Sequence, residues 1–529
     1  MRTLFLSFFS TILLHAATYT VKAGGGGTFT TIQACATAMS AGDTCTVYAG
    51  TYNENVTTKA GTAGNYMTFN VNGADVVNVL SFTLNSYNKI IGFTITNPSS
   101  PNHHDCITIS PSVTSIYITN NIITQCGNGG ATGGQMISTS NGSGADHVYV
   151  QGNTFSWACG TPSAPDACNV INIFGHHYLL ENNDMSHMLF GVDASSQYTV
   201  IRNNKFHDLN QTECTTAPTC HMDVIFSEPG TTFPVQYNLW ENNTSINALG
   251  SYSKGFFVSG DVCGGSCKNV IERFNTFAHL GSGAVAQTSG FTYVKVYNNT
   301  FVDLLNYYVG QFYEIANIHY NTAPNGADIN NLFYFPEAVP AAQGWVAYYS
   351  AADSLTGFTA GSNLAWCTLS PCAPQGGNYQ SFTAAAPGNQ IADPKFNNYA
   401  GNDFSLVPGS PALNGGTYLT TVANTDTGSG TSLVVTDASF FQDGLGLSAV
   451  GVNADCISVT TVTSHVCVTA VNYSTNTLTL TTSITRSAGD PVWLYSDSTG
   501  RQVLTGNAPN IGAFAPTIAP PTNLITVVQ

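Results

Sequence analysis

The sequence predicts an all-β chain: a parallel β-helix, or solenoid of stacked coils, with a small inserted β-barrel or sandwich near its C-terminal end. Three observations predict it. A short phrase ending in paired Asn recurs at coil-like spacing, no helical period recurs beside it, and the composition is that of turn-rich β structure. Of 529 residues, 43% are hydrophobic and 51 are Gly, while only 8% are charged, against about 25% in an average globular protein. High hydrophobicity with so little charge excludes a disordered chain.

The chain opens with a leader-like segment. Arg2 supplies a thin positive region, Leu4 to Leu14 form a short apolar run, and Leu14-His15-Ala16 fits a cleavage site before Ala17. Export is expected, and the 14 Cys agree with it. They fall into seven sequential pairs: Cys35/Cys45, Cys106/Cys126, Cys159/Cys168, Cys214/Cys220, Cys263/Cys267, Cys367/Cys372 and Cys456/Cys467. Even counts with local partners fit disulfides of an oxidising compartment. No later run is long enough to span a membrane. A formal charge of −16 argues against nucleic acid, which needs Lys and Arg against its phosphates.

The recurring phrase is two or three β-branched or aromatic residues, a polar residue, an Asn pair and an apolar residue. Ile116 to Ile123, Val148 to Phe155, Leu179 to Asn183, Val200 to Phe206, Leu239 to Asn243, Ile271 to Phe277 and Val294 to Phe301 carry it, with weaker copies at Asn331 and Asn363. The later Asn stands at 121, 153, 183, 204, 243, 275, 299, 331 and 363, so the gaps are 32, 30, 21, 39, 32, 24, 32 and 32. The shortest holds three short strands and three turns, so one gap is one coil and the longer ones carry inserted loops. Asn suits a corner because it tolerates the left-handed region and bonds its own backbone. A second strand set lies between corners: Cys106 to Ile109, Val170 to Ile173, Leu189 to Val192, Val224 to Phe226 and Gly255 to Val258. An antiparallel sandwich would need tight hairpin turns instead.

Both ends of the stack carry further phrases. The start reads Phe29-Thr-Thr-Ile-Gln-Ala, Ala41-Gly-Asp-Thr and Tyr48-Ala-Gly-Thr-Tyr-Asn-Glu54. The end reads Ala392-Asp-Pro-Lys-Phe, Asn402-Asp-Phe-Ser-Leu, Pro408-Gly-Ser-Pro-Ala and Asn510-Ile-Gly-Ala-Phe514. Over about residues 18–417 and 500–516 the chain resembles secreted right-handed parallel β-helix proteins of the pectin-lyase-like superfamily. The resemblance implies a short helix over Ile32 to Met39 capping the first coil, and a glycan as partner. That superfamily includes lyases, hydrolases, epimerases, esterases and non-enzymatic adhesins, so the resemblance bears on fold more than on activity. Residues 418–499 interrupt the closing phrase with short alternating strands. Tyr473 to Asn476 fits a hairpin turn, Cys456/Cys467 would staple the insert, and Trp493 is read as core or as a glycan platform. The expected division is a leader over 1–16, the coil stack over 17–417, the inserted β domain over 418–499, a closing stack segment over 500–516 and a tail over 517–529.

Where charge is scarce, clusters stand out. His103-His104-Asp105 begins one strand, His221-Met-Asp223 begins another with Glu228 just past it, His187 and Asp193 flank Leu189 to Val192, and Lys254 begins the strand after Asp223. Strands in register would line these residues along one face, a glycan groove. Elimination from a uronic acid needs a base for the C5 proton and a cation or acid to quiet the carboxylate. His221, Asp223 and Lys254 are therefore the catalytic candidates, and His103, His104, Asp105, His187 and Asp193 the substrate-binding ones. Asp193, Asp223 and Glu228 are the candidates for Ca²⁺, which takes hard oxygen ligands. A polysaccharide lyase is the leading expectation. A glycoside hydrolase using two of the carboxylates, an epimerase, and a tailspike-like adhesin that only binds glycan stay open. A strand-start hydrogen bond also accounts for His-x-Asp. Arg202, Lys205, His207 and Asp208 surround an Asn corner and are expected on the surface.

Overall fold

The structure is a computed structural model. It describes residues 16–97, 106–126, 135–139, 144–161, 164–166, 169–209, 222–227, 232–248, 253–258, 263, 265–280, 285–287, 291–304, 315–316, 318–320, 324–335, 345–346, 356–367 and 388–513. The leader segment before Ala16 lies outside them, as does the tail after Ala513. Among the described residues no helix is long and apolar enough to cross a membrane.

Successive coils pair strand on strand, in parallel. Val148 to Glu181 shows the pattern: Tyr149 lies opposite Tyr117 on one side and Leu179 on the other, and Leu179 lies opposite Val200. Alternate side chains turn inward, so Ile137, Ile171, Val192, Ile225 and Phe256 form one interior column. Phe277, Phe301 and Phe333 stack in another, with ring centroids 5.5 and 5.0 Å apart.

The later Asn of each pair is buried and forms a continuous ladder. The Nδ2 of Asn121, Asn153, Asn183, Asn204, Asn243 and Asn275 each donates to the Oδ1 of the next Asn at 2.9–3.0 Å. The same Oδ1 accepts the backbone N–H of the preceding Asn at 2.9–3.0 Å. Only a side chain with donor and acceptor on one planar group satisfies both neighbours, which is why this residue repeats.

The corners go beyond the sequence reading. Each regular coil has three left-handed residues, not one. The first set is Asn120, Asn182, Asn203, Asn242, Phe274, Asn298 and Asn330. Five residues later stand Gln125, His187, Asp208, Asn247, His279 and Asp303, and five residues earlier Ser115, His177, Tyr198, Tyr237, Asn269, Tyr293 and Asn325. Gly152 holds the first corner of its coil, with Trp157 and His147 at the same offsets. A non-Gly residue at positive φ costs roughly 1–3 kcal/mol, and its neighbours one coil away hold it there by stacking. Across the coils from Ser115 to Asn330 two of the three arcs are thus fixed in length, and the length differences fall in the third.

The helix Ile32–Ala38 packs on the first strands through Ile32, Cys35 and Ala36. Thr31 Oγ1 accepts the Ala34 N–H, and Glu54 accepts those of Ile32 and Gln33 at 3.1 and 2.8 Å, satisfying donors a helix start leaves over. Disulfides join Cys35–Cys45, Cys106–Cys126, Cys263–Cys267 and Cys456–Cys467. The other three Cys pairs each include a residue outside those described. Cys106 begins a coil and Cys126 ends it, with Cα atoms 5.4 Å apart.

Between Thr420 and Ser496 six antiparallel strands make a small barrel, closed by the bridge between Val422 and Val435. Its hairpin joins His465–Asn472 to Thr477–Arg486, with Asn476 left-handed. Trp493 is not core: it alternates with buried Val492 and Leu494 and is half-buried, lining a small cleft with Tyr418 beside it. The barrel lies on one face of the stack. Tyr149, Leu179, Val200, Leu239 and Ile271 share an apolar cluster with Leu445, Leu447, Val452 and Ile457. This explains runs such as Leu179-Leu180 and Val200-Ile201: covered on both faces, these strands are apolar on both.

Buried charge locks the two together. Arg273 donates to Glu241 at 2.6 Å, to Asp455 at 2.7 and 2.8 Å and to Tyr297 Oη at 3.0 Å. Arg202, expected at the surface, is buried under the barrel, donating to Ser498 and the Gly451 carbonyl and pairing with Glu181. Its neighbours behave as expected: Lys205 and His207 are part-exposed and Asp208 is exposed.

Candidate functional site

The third arc is where function can be built, because loops inserted on a rigid scaffold carry binding and catalytic groups. From second corner to third it spans 11 residues in the shortest coil, His187 to Tyr198, and 29 in the longest, Asp208 to Tyr237. Its strands include Gln135–Thr139, Phe190–Gln197, Met222–Ser227 and Ser253–Val258.

Three of the sequence-predicted residues fall on successive strands of this arc. Asp193 lies opposite Asn172 and Phe226, while Asp223 lies opposite Phe190 and Lys254. Asp193 is part-exposed on the outward alternation and accepts a hydrogen bond from Asn172 Nδ2 at 3.1 Å. Asp223 stands two residues before the inward-facing Ile225, on the same alternation, and is fully buried. Lys254, opposite Asp223, takes the same strand alternation. His187 is a left-handed corner at the start of the arc, its ring stacked on Trp157 at 3.9 Å and 7°. Phe190 and Phe226 stack at 4.6 Å beside Asp193. His103, His104, Asp105, His221 and Glu228 lie outside the described residues.

At the far end of the arc stands a ladder of rings that the sequence reading did not single out. His147 and His177 stack at 4.6 Å, His177 and Tyr198 at 5.2 Å, and Tyr198 and Tyr237 at 5.1 Å. Tyr473 of the barrel closes the row at 5.1 Å from Tyr237. Asp146 sits beside the first two, 2.9 Å from His147 Nδ1 and 2.8 Å from His177 Nδ1. His176, the cross-strand neighbour of Asp146, is held below the ordinary imidazole pKa, chiefly by burial. Another His lies on the short strand after the Asn ladder. His207 bridges Asp184 and Asp208 at 2.6 and 2.7 Å. Burial alone would lower its pKa, but the two carboxylates outweigh it and the net shift is upward. The signal that finds these corners is the fixed offset of five residues on either side of the first one.

No family model and no curated protein matches the sequence. Among solved structures, a rhamnogalacturonan lyase is similar at 14% identity and a TM-score of 0.39, over 54% of this chain and 82% of its own. A mannuronic-acid-specific family 6 polysaccharide lyase from human gut microbiota is similar at 14% and 0.40, over 67% and 86%. The tailspike protein of an Escherichia coli bacteriophage is similar at 10% and 0.37, over 86% of each chain.

Proposed function

We propose that the chain is a secreted carbohydrate-active protein, a right-handed parallel β-helix of the pectin-lyase-like kind. In this reading it is a polysaccharide lyase, performing β-elimination on a uronic-acid-containing glycan laid along the third arc. One observation carries the reading: within the stacked coils the insertions fall in that arc, and Asp193, Asp223 and Lys254 lie on three successive strands of it, Asp223 and Lys254 in register roughly 4.8 Å apart and Asp193 three positions further along its strand.

In this reading Lys254 or His221 takes the C5 proton. His103, His104 and Asp105 bind the glycan from the coils before, and His187, backed by Trp157, offers a flat ring at the edge of the arc. A Ca²⁺ ion would neutralise the substrate carboxylate, which a chain of net charge −16 otherwise repels. Asp193 suits it, with a part-exposed carboxylate on the outer alternation, and Glu228 is the further carboxylate proposed as its ligand. For Asp223 to join them, its carboxylate must turn outward from the inner alternation, and Lys254, opposite it in register two residues before the interior Phe256, must turn in the same way to reach the glycan.

The test is turnover on a panel of acidic glycans for Lys254→Ala, His187→Ala and Asp193→Ala, each with its melting temperature. Loss of 10²-fold or more in Lys254→Ala with unchanged melting is expected, the range of a positioned proton-transfer group. Chelation should abolish activity and added Ca²⁺ restore it. Full turnover in all three variants would overturn the reading.

A further inference from the structure

The geometry points to a transition-metal site at the third corner of two adjacent coils, formed by Asp146, His147 and His177, suited to Zn²⁺ or Cu²⁺. This site is separate from the Ca²⁺ reading above and does not rest on it.

The three residues converge through the fold, not through sequence proximity. His147 and His177 occupy the same corner one coil apart, at φ 55° each. Their rings stack with a 27° tilt, which sets both Nδ1 atoms toward one carboxylate. One donor atom from each residue lies within 4.8 Å of the other two, and all three residues are part-exposed. Zn²⁺ binds imidazole nitrogen at about 2.0–2.1 Å and carboxylate oxygen at about 2.0–2.2 Å, so donors on one tetrahedral ion stand roughly 3.3 Å apart, and small side-chain rotations that open the 2.8 and 2.9 Å contacts to Asp146 seat all three on it.

The donor types choose the metal. Two imidazoles and one carboxylate suit Zn²⁺, Cu²⁺ or Ni²⁺, with Cu²⁺ bound most tightly of the first-row divalent ions, whereas Ca²⁺ takes oxygen ligands. His176, opposite Asp146 in the ladder, places a third imidazole beside the group. The barrel closes over the far edge of His177: a Cβ on Gly446 would meet its Cδ2 and Nε2 at 2.9 and 3.0 Å. That leaves Nδ1 as the nitrogen turned to Asp146. A bound ion would clamp the strands Ala145–Gln151 and Asn169–Glu181 to each other directly beneath the barrel.

The variant that removes the site without disturbing the corner is His147→Asn with His177→Asn. Asn already holds this corner at positions 269 and 325. The full chain is stripped with chelator, dialysed against Zn²⁺ and assayed for metal content, then loaded with Cu²⁺ for electron paramagnetic resonance. One equivalent of Zn²⁺, a raised melting temperature, and a Cu²⁺ signal split by at least two nitrogens are expected. In the double variant all three should vanish: the metal-free chain still folds, its melting temperature lowered only by the lost ring stacking and no longer raised by Zn²⁺. His103→Asn with His104→Asn serves as a control and should retain the metal. No stoichiometric uptake, uptake that survives the corner double variant, or uptake lost in the His103/His104 control would overturn the proposal.

Discussion

Asn243 gives the sharpest test of how the coils are held. Its Oδ1 accepts the backbone N–H and the Nδ2 of Asn204, both at 3.0 Å, and its own Nδ2 donates to the Ile201 carbonyl at 2.8 Å and to Asn275 Oδ1 at 3.0 Å. Asn243→Ala removes all four bonds at a fully packed position and leaves their partners buried. At about 1 kcal/mol net for each hydrogen bond, the expected loss is ~4 kcal/mol. Asn243→Asp keeps the acceptor but sets a buried carboxylate against Asn275 Oδ1, so it should cost at least as much. Asn203 provides the contrast: it is the left-handed residue immediately before the ladder, and Asn203→Gly keeps that conformation, so it should change stability by a few tenths of a kcal/mol. Urea unfolding followed through the fluorescence of buried Trp240, in the same strand phrase as Asn243, reads both midpoints. A loss near 1 kcal/mol in Asn243→Ala, or equal losses at 203 and 243, would refute the ladder as the main polar bond between coils.

Two further outcomes follow from buried charge. Arg273→Met strands Glu241 and Asp455 without their shared cation, so it should destabilise by about 3–5 kcal/mol and render the barrel sensitive to limited proteolysis; a variant with unchanged protection would contradict the docking account. Glu272 is buried, neither of its oxygens has a hydrogen-bond partner among the described residues, and burial pushes its carboxyl up to about 8. Because the folded pKa lies above the unfolded one, its stabilising protonation is complete below pH ~4.5 and is lost as pH rises through about 8. Glu272→Gln should flatten the melting temperature across that window and melt higher than the parent at the alkaline end; parallel pH profiles would show that the carboxyl titrates normally.

What the sequence made legible follows what each position demands. The Asn ladder needs one amide in one register, so the same residue recurs and the coil period can be read directly. The other two corners need only a residue that tolerates positive φ and stacks, and His, Tyr, Trp, Asp and Asn all serve. They are hidden from composition and visible only as a spacing of five. Asp146, His147 and His177 look unrelated until the 30-residue step from His147 to His177 is matched to the same step from Asn153 to Asn183. The barrel strands were readable from their alternation, but their docking was not. Its signal was the double apolar run at Leu179-Leu180 and Leu239-Trp240, which read as ordinary strand. Part of the scarce charge went to that interface, in Arg202, Glu241 and Arg273, and so was not available to mark a site. Asp193, Asp223 and Lys254 could be placed on one arc because strand starts in a charge-poor chain stand out.

The most direct measurement is the ultraviolet absorbance of products when the purified full chain meets a panel of uronic-acid-containing and neutral polysaccharides, with reducing ends counted in parallel. A lyase working along the third arc predicts unsaturated, absorbing products from at least one uronate glycan, with reducing ends appearing in step and both lost in Lys254→Ala. Reducing ends without absorbance would establish hydrolysis in place of elimination, and glycan binding with neither product would contradict an enzymatic role.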